Sequence, residues 1–167
     1  VEIIRQRREI VGMAMAQRAK FEGWLKFELA DAARRNGATN IRFEPTLTSG
    51  RADLSFDLKG VACVVELKTP NTNYRMEGAL NRTRPITKNI ASIIADAQKL
   101  ARCGGGVIAF ILFPLKTGDD AWLTYLARLS EGVGQMLSTD EHTTRETVAL
   151  PNGAADVAVV TFDVPGS

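Results

Sequence analysis

The sequence predicts an α/β protein, because helical and strand patterns alternate along its 167 residues. A helical pattern opens the chain, two apolar strands joined by a tight turn follow, and an amphipathic helix then leads into a continuous apolar strand. A chain of this length buries roughly 70% of the surface that its unfolded form exposes. We therefore expect a single domain over residues 1–167, with residues 1–20 as a candidate N-terminal helical extension.

The composition argues against a membrane or exported protein. No apolar run approaches the roughly 18 residues that a membrane span needs. The chain starts at Val1 without a signal-peptide pattern, so we expect a cytoplasmic protein whose extreme N-terminus is missing. Cys63 and Cys103 have no C-x-x-C or histidine-rich neighbours and are interpreted as reduced structural thiols.

Positive charge is concentrated in the middle of the chain, although the net charge is only +2. Residues 68–102 contain seven bases and two acids, whereas acids predominate after Arg102. A basic segment of this kind could contact a phosphate backbone, and an exposed, solvated loop is the ordinary alternative.

The N-terminal part of the chain is predicted to be helical. Residues 2–35 carry a helical pattern that suggests two helices meeting near Gly12 or Gly23, and Asn36-Gly37 gives a common C-terminal signal. Three strands are predicted next, at 40–45, 52–58 and 61–68.

The later segments alternate between loop, helix and strand. Residues 69–86 are rich in Pro, Asn, Thr, Gly and Arg without a sustained period, which predicts a long loop. Next comes a helix with Thr87 as N-cap and Gly104 as its stop, followed by the apolar run GVIAFILFPL, typical of a central strand buried on both faces. A helix and a hairpin complete the prediction, at about 119–130, 144–150 and 156–163.

The second and third predicted strands carry charges that need an explanation. A hairpin that turns at 59–60 places Asp53 opposite Glu66. Since side chains alternate along a strand, Asp53, Glu66 and Lys68 then share one face. The other face is wholly apolar and consists of Leu54, Phe56, Leu58, Val61, Cys63, Val65 and Leu67.

The opposed carboxylates predict a cation between them. Opposed residues have Cβ atoms roughly 5 Å apart, where like charges repel unless a positive group neutralises them. Lys68 offers one positive charge as a point donor, whereas a hard divalent cation suits two oxygen ligands better. We therefore predict Mg²⁺ or Mn²⁺ between Asp53 and Glu66.

The first helix offers a further carboxylate. At 100° per residue, Glu28 lies at the centre of the apolar stripe of this helix and Glu22 lies at its edge. The stripe consists of Phe21, Trp24, Leu25 and Ala32. Because a carboxylate buried without a partner is costly, Glu28 either pairs with a base such as Arg35 or joins the cation site. We favour the cation site and keep Glu22 as the weaker alternative.

This order of residues and elements resembles the PD-(D/E)xK nuclease superfamily. The resemblance covers about residues 22–113. It implies the restriction-endonuclease-like fold, an α/β fold whose mixed β-sheet is flanked by helices, with the core order α-β-β-β-α-β. Asp53 resembles the motif aspartate of the family, Glu66 and Lys68 in "ELK" resemble its Glu-x-Lys, and Glu28 resembles its first-helix glutamate.

Two positions depart from the family pattern or extend it. Ala52 stands where the eponymous proline would be, as in many members. Gln98 matches a glutamine that some members carry on the later helix, although Arg102 stands where the accompanying tyrosine is expected. The ordinary alternative for Gln98 is a polar edge position on an amphipathic helix.

The resemblance implies a Mg²⁺-dependent phosphodiesterase, an endo- or exodeoxyribonuclease from a restriction, defence, repair or mobile-element setting. Asp53, Glu66 and the Leu67 carbonyl would hold one Mg²⁺ or Mn²⁺, and Glu28 would bind a second ion or its water. Lys68 would orient the attacking water and stabilise the developing charge. The expected partner is DNA, while RNA, a homodimer and a larger complex stay open.

Four residues after the catalytic strand are candidate nucleic-acid contacts: Tyr74, Arg75, Arg84 and Lys88. For Tyr74, covering apolar surface is an equal alternative. Two other hypotheses compete with the nuclease. One is a catalytically silent member of the same fold that binds nucleic acid or protein, and the other is an unrelated α/β protein with a structural salt cluster.

Overall fold

The structure of the protein, a computed structural model, describes residues 1–80 and 86–167. It is an α/β architecture in which a mixed six-stranded sheet lies between two layers of helices, as predicted. The helices are α1 (Glu2–Gln6), α2 (Arg8–Gln17), α3 (Glu22–Arg35), α4 (Ile86–Arg102), α5 (Leu123–Val133) and α6 (Thr139–His142). The strands are β1 (Thr39–Phe43), β2 (Thr46–Leu47), β3 (Gly50–Arg51), β4 (Leu54–Leu58), β5 (Val61–Lys68), β6 (Gly105–Leu115), β7 (Thr143–Leu150) and β8 (Gly153–Pro165).

The six-stranded sheet has the strand order β1-β4-β5-β6-β8-β7. β5 and β6 run parallel, and the other neighbouring strands are antiparallel. Parallel neighbours need a crossover connection, and α4 provides it. The apolar run GVIAFILFPL forms β6 in the interior of the sheet, as predicted.

Each face of the sheet buries its own apolar core. The first core lies beneath α1, α2 and α3 and receives Ile111 and Phe113 from β6. The second core lies beneath α4 and α5 and receives Phe110 and Leu112 from the same strand. This division follows from the alternation of side chains along a strand. The same alternation in β5 decides which side chains face α4.

The N-terminal helical region consists of three helices rather than the two that were predicted, and neither break is at a glycine. α1 ends at Gln6 with Arg7 as its C-cap, and α2 ends at Gln17 with Arg18 as its C-cap, whose left-handed backbone (φ 50°) stops the helix. Gly12 and Gly23 lie inside helices. Gly12 serves packing, because a Cβ built there would lie 2.7 Å from the carbonyl oxygen of Ala149 on β7.

We expect Gly12→Ala and Gly23→Ala to change stability in opposite directions. The added methyl group at Gly12 would force α2 away from β7 and lower the free energy of unfolding by about 1–3 kcal/mol. A Cβ at Gly23 meets nothing within 4 Å, so this variant should gain up to about 1 kcal/mol from better helix propensity. Urea unfolding of both variants checks the prediction, and an equal effect at both sites would contradict it.

The predicted hairpin register is confirmed. β4 and β5 pair Leu54 with Val65 and Leu58 with Val61. Val61 is 63% exposed, however, so the predicted apolar face is buried only at the other end of the hairpin. There Leu54, Val65 and Leu67 enter the first core.

Several boundaries differ from the prediction, and the strand predicted at 52–58 begins only at Leu54. α4 already contains Ile86, so Thr87 lies within the helix instead of capping it. α5 begins at Leu123, a few residues after the predicted start. The ribbon of β2 and β3 was not predicted, because two residues per strand give no periodic signal.

Within residues 1–80 and 86–167, no helix combines the length and apolar character that crossing a membrane requires.

A buried arginine holds the loop that follows β5. The Arg18 side chain donates hydrogen bonds to the carbonyl oxygens of Thr72 and Leu80, each at 2.7 Å, and to that of Tyr74. Burial lowers the pKa of the Arg18 guanidinium, which nevertheless stays charged. The part of the predicted 69–86 loop that the structure describes is therefore tied to the end of α2.

Candidate active site

Glu66 and Lys68 lie near the end of β5, on the sheet face that α4 covers. Val65 and Leu67 enter the core beneath α3, so the intervening Glu66 projects to the opposite side. Glu66 is only 3% exposed. A carboxylate so deeply buried needs a charged partner or a pKa shift towards its neutral form.

α4 supplies the charged partners. The Lys99 ammonium forms an ion pair with Oε1 of Glu66 and lies 3.2 Å from Oδ1 of Asp96. Nζ of Lys68 lies 2.9 Å from Oδ2 of Asp96 and 4.0 Å from Oε2 of Glu66. Each ammonium group thus contacts both carboxylates, and the four side chains form a closed network.

The network offsets only part of the cost of burying Glu66. Burial raises the pKa of the Glu66 carboxyl to about 7, although the hydrogen bond from Lys99 lowers it. Burial lowers the pKa of the Lys68 and Lys99 ammonium groups, but their carboxylate partners outweigh burial and the net shift is upward. Both lysines are therefore charged at neutral pH, whereas Glu66 is divided between its two forms.

Asp53 lies one residue before β4 begins, next to the pair of Leu54 and Val65. Its N–H donates to the Val65 carbonyl at 3.2 Å, and its Oδ2 accepts from the Leu67 N–H at 2.8 Å. Oδ1 lies 3.5 Å from Nζ of Lys26 on α3. These contacts place the Asp53 carboxylate beside Leu67, and the predicted pairing of Asp53 with Glu66 lies beyond the last pair of the hairpin, Leu54 with Val65.

The structure does not bring Glu28 into this neighbourhood. Its Oε1 accepts from Nε of Arg7 at 3.0 Å, so Glu28 follows the alternative of pairing with a base, here Arg7 instead of Arg35, and not the favoured cation site. Glu22 contacts the strand instead, since its Oε1 accepts from the N–H of Thr69 at 2.9 Å. Thr69 directly follows Lys68, so this hydrogen bond brings Glu22 of α3 to the end of the Glu-x-Lys segment.

Glu22, and not Glu28, contacts the strand because α3 is rotated about its axis relative to the prediction. The buried stripe of this helix is centred about a quarter turn away from the predicted one, so Glu22 and Lys26 face the sheet end and Glu28 lies at the margin. The residues that define the observed stripe are Phe21, Leu25, Ala30 and Ala33. The prediction was wrong because Trp24 is only partly buried and does not mark the centre.

On α4, the sequence pointed to Gln98, and the structure places other residues at the site. Gln98 is exposed and lines a cavity against Glu131 and Gly132 of α5. Asp96 and Lys99 reach Glu66 and were not predicted. Their spacing of three residues places them on one side of the helix, which is the only sequence signal that could have found them.

The candidate nucleic-acid contacts occupy different surroundings. Arg75 and Lys88 are exposed, as a phosphate contact requires. Tyr74 is half-buried and packs against the second core, in agreement with its alternative role of covering apolar surface. Arg84 lies outside the described residues.

Comparison of the chain with models of protein families and with curated proteins gives no match. Within residues 1–80 and 86–167, no three His, Cys, Asp or Glu side chains are grouped so that they could hold a metal ion. Among these residues, Asp53 and Glu66 therefore have no third such side chain grouped with them.

Proposed function

We propose that the protein is a metal-dependent nuclease that hydrolyses phosphodiester bonds in DNA. The observation that carries this proposal is the buried Glu66, with Lys68 two residues on along the same face and Asp53 bonded to the backbone of the neighbouring Leu67. Two carboxylates that can hold a metal ion, with an ammonium nearby, suit the hydrolysis of a phosphodiester.

The order of elements supports a restriction-endonuclease-like fold. The elements α3, β1, β4, β5, α4 and β6 follow one another as α-β-β-β-α-β, with the short β2–β3 ribbon inserted after the first strand. This order agrees with the core that the resemblance implies. It also puts the acidic pair at the end of a hairpin whose second strand lies beside a parallel neighbour.

The residues at the site fit Mg²⁺ or Mn²⁺. Mg²⁺ is usually bound through one or two carboxylates, several waters and the phosphates of the substrate, so Asp53 and Glu66 with the Leu67 carbonyl suffice as a protein donor set. Burial, together with the nearby Asp96 and Asp53 carboxylates, holds the pKa of Glu66 at about 7 in spite of its lysine partner, so a further positive charge would favour the ionised form. When bound, the metal would supply that charge and make hydroxide available at neutral pH.

The lysine of the site has a position suited to charge stabilisation. Asp96 holds the Lys68 ammonium at 2.9 Å, so the side chain is oriented before substrate arrives. In hydrolysis a water oxygen bonds to phosphorus, the bond from phosphorus to the leaving sugar oxygen breaks, and negative charge grows on the phosphate oxygens. A fixed ammonium beside those oxygens stabilises this charge more than it stabilises the ground state.

The test is cleavage of supercoiled plasmid and single-stranded circular DNA in Mg²⁺, Mn²⁺ or EDTA, together with Mn²⁺ calorimetry. We expect cleavage that EDTA abolishes, and Mn²⁺ binding that Asp53→Asn weakens by about tenfold or more, because one of two carboxylates is lost. Asp31→Asn, on the exposed surface of α3, is the matched control. Absence of both cleavage and bound Mn²⁺ would refute the proposal.

The closed ion network favours a second candidate function, a catalytically silent module of the same fold that binds nucleic acid or protein. Lys99 already neutralises Glu66, and Lys26 lies beside Asp53, so the site can exist as a salt cluster without a metal. Binding of DNA in EDTA without cleavage in Mg²⁺ or Mn²⁺ would establish this candidate over the nuclease.

A further inference from the structure

Lys99 of α4 contacts Glu66 more closely than any other positive charge in the described part of the chain. Its ammonium forms an ion pair with Oε1 of Glu66, whereas Nζ of Lys68 lies 4.0 Å from Oε2 and is held at 2.9 Å by Asp96. A carboxylate that is 3% exposed needs such a charge in order to stay ionised. The Lys99 ammonium therefore lies where a cation bound to Glu66 is expected.

The ion pair between Lys99 and Glu66 is unequal, because Lys99 has two other acceptors close by. Its Nζ lies 3.2 Å from Oδ1 of Asp96 and donates to the Arg51 carbonyl at 2.7 Å. An ammonium has three donors, so Lys99 can leave Glu66 and keep both of these partners. Glu66 cannot lose Lys99 without taking up a proton or another cation, because it is buried. A second cation can thus replace Lys99 at little cost to the lysine itself.

The ribbon of β2 and β3 holds the aliphatic part of the Lys99 side chain. Oγ of Ser49 donates to the Lys99 carbonyl at 3.2 Å, and a Cβ built at Gly50 would lie 3.5 Å from Cδ of Lys99. A change of partner therefore moves the ammonium and leaves α4 in place.

The other carboxylate of the site is paired in a similar way. Nζ of Lys26 on α3 lies 3.5 Å from Oδ1 of Asp53 and 3.1 Å from Oε1 of Glu44. Asp53 is thus also paired with a helical lysine that has a second acceptor. Each carboxylate that is expected to hold the metal is neutralised by a lysine with somewhere else to bind.

We propose that Lys99 is the internal counter-ion of Glu66 in the metal-free protein, and that a divalent cation replaces it when the site is loaded. This inference rests on the metal site of the proposed nuclease and assigns Lys99 as a positioning residue that sets the metal affinity. An ammonium in contact with the oxygen that the metal must bind competes with it, and two positive charges at that distance repel each other.

The first test is calorimetric titration with Mn²⁺ at pH 8. We expect Lys99→Gln to bind Mn²⁺ about tenfold more tightly than the unaltered protein, because a hydrogen bond to a charged group no longer has to be broken. The glutamine amide keeps a donor for the Arg51 carbonyl. Arg102→Gln removes an exposed positive charge one turn further along α4 and should bind Mn²⁺ like the unaltered protein. Equal or weaker affinity in Lys99→Gln would overturn the inference.

The second test follows Lys99 itself and needs no variant. A pulse of acetic anhydride acetylates lysines of the unaltered protein in Mn²⁺ or in EDTA, and mass spectrometry reads the rate at each site. We expect Lys99 to react about tenfold faster in Mn²⁺, because its ammonium has left Glu66. The exposed Lys116 should react equally in both and serves as the internal reference.

The outcomes separate this inference from the nuclease proposal. An unchanged rate at Lys99 while Mn²⁺ is bound would overturn the exchange even if the protein cleaves DNA. Absence of bound Mn²⁺ in both the unaltered protein and Lys99→Gln would overturn the exchange together with the nuclease. Release of Lys99 by Mn²⁺ without any cleavage would keep the exchange and reject the nuclease.

Discussion

Replacing Lys68 by alanine is expected to lower the rate of DNA cleavage by about 10²- to 10³-fold, the usual effect of removing one fixed donor that stabilises transition-state charge. Lys68 is held by Asp96 at 2.9 Å and lies on the face of Glu66, so its ammonium is in place before the reaction. Substrate binding should change much less than cleavage, since under the proposed function exposed bases elsewhere would supply most phosphate contacts.

Plasmid nicking in Mg²⁺ and oligonucleotide binding in EDTA measure the two effects of Lys68→Ala separately. Lys116→Ala removes an exposed lysine and should leave both unchanged. Lys68→Arg keeps the charge but changes its shape, and we expect it to recover only part of the rate. Equal rates for Lys68→Ala and the unaltered protein would exclude Lys68 from the reaction and return it to the salt cluster.

Replacing Glu66 by glutamine is expected to change how stability depends on pH. Because the folded pKa of Glu66 is about 7 and the ordinary value is 4.5, the folded protein holds a proton between these pH values that the unfolded chain has released. The free energy of unfolding therefore falls as pH rises through this window, by on the order of 3 kcal/mol. Glutamine does not titrate in this range, so the free energy of unfolding of Glu66→Gln should not show this fall between the two pKa values.

Urea unfolding at pH 4.5, 6 and 8 measures this difference between Glu66→Gln and the unaltered protein. Glu131→Gln, on the exposed surface of α5, should follow the unaltered protein. Adding Mg²⁺ at pH 8 should stabilise the unaltered protein, by about 2.7 kcal/mol at one hundred times the dissociation constant, and leave Glu66→Gln unaffected. Parallel pH curves for the two proteins would show that Glu66 titrates as an ordinary exposed glutamate.

Most of the hairpin could be predicted from the sequence because its signals are local. The turn at 59–60 fixes the strand register, and the register together with alternation puts Glu66 and Lys68 on the face opposite Leu67. The apolar run of β6 is equally local, since a continuous stretch of this length is typical of a central strand. These elements were found in the structure where the pattern placed them.

The sequence by itself determined the order of the main strands and helices, the hairpin register and the shared face of Glu66 and Lys68. Only the tertiary structure decided which helical side chains meet that face. The rotation of α3 put Lys26 rather than Glu28 beside Asp53, and the docking of α4 brought Lys99 onto Glu66. A strand has only two faces, so spacing identifies the buried one. A helix surface is continuous, so a small shift in how its apolar stripe packs decides which charged residue points at the site.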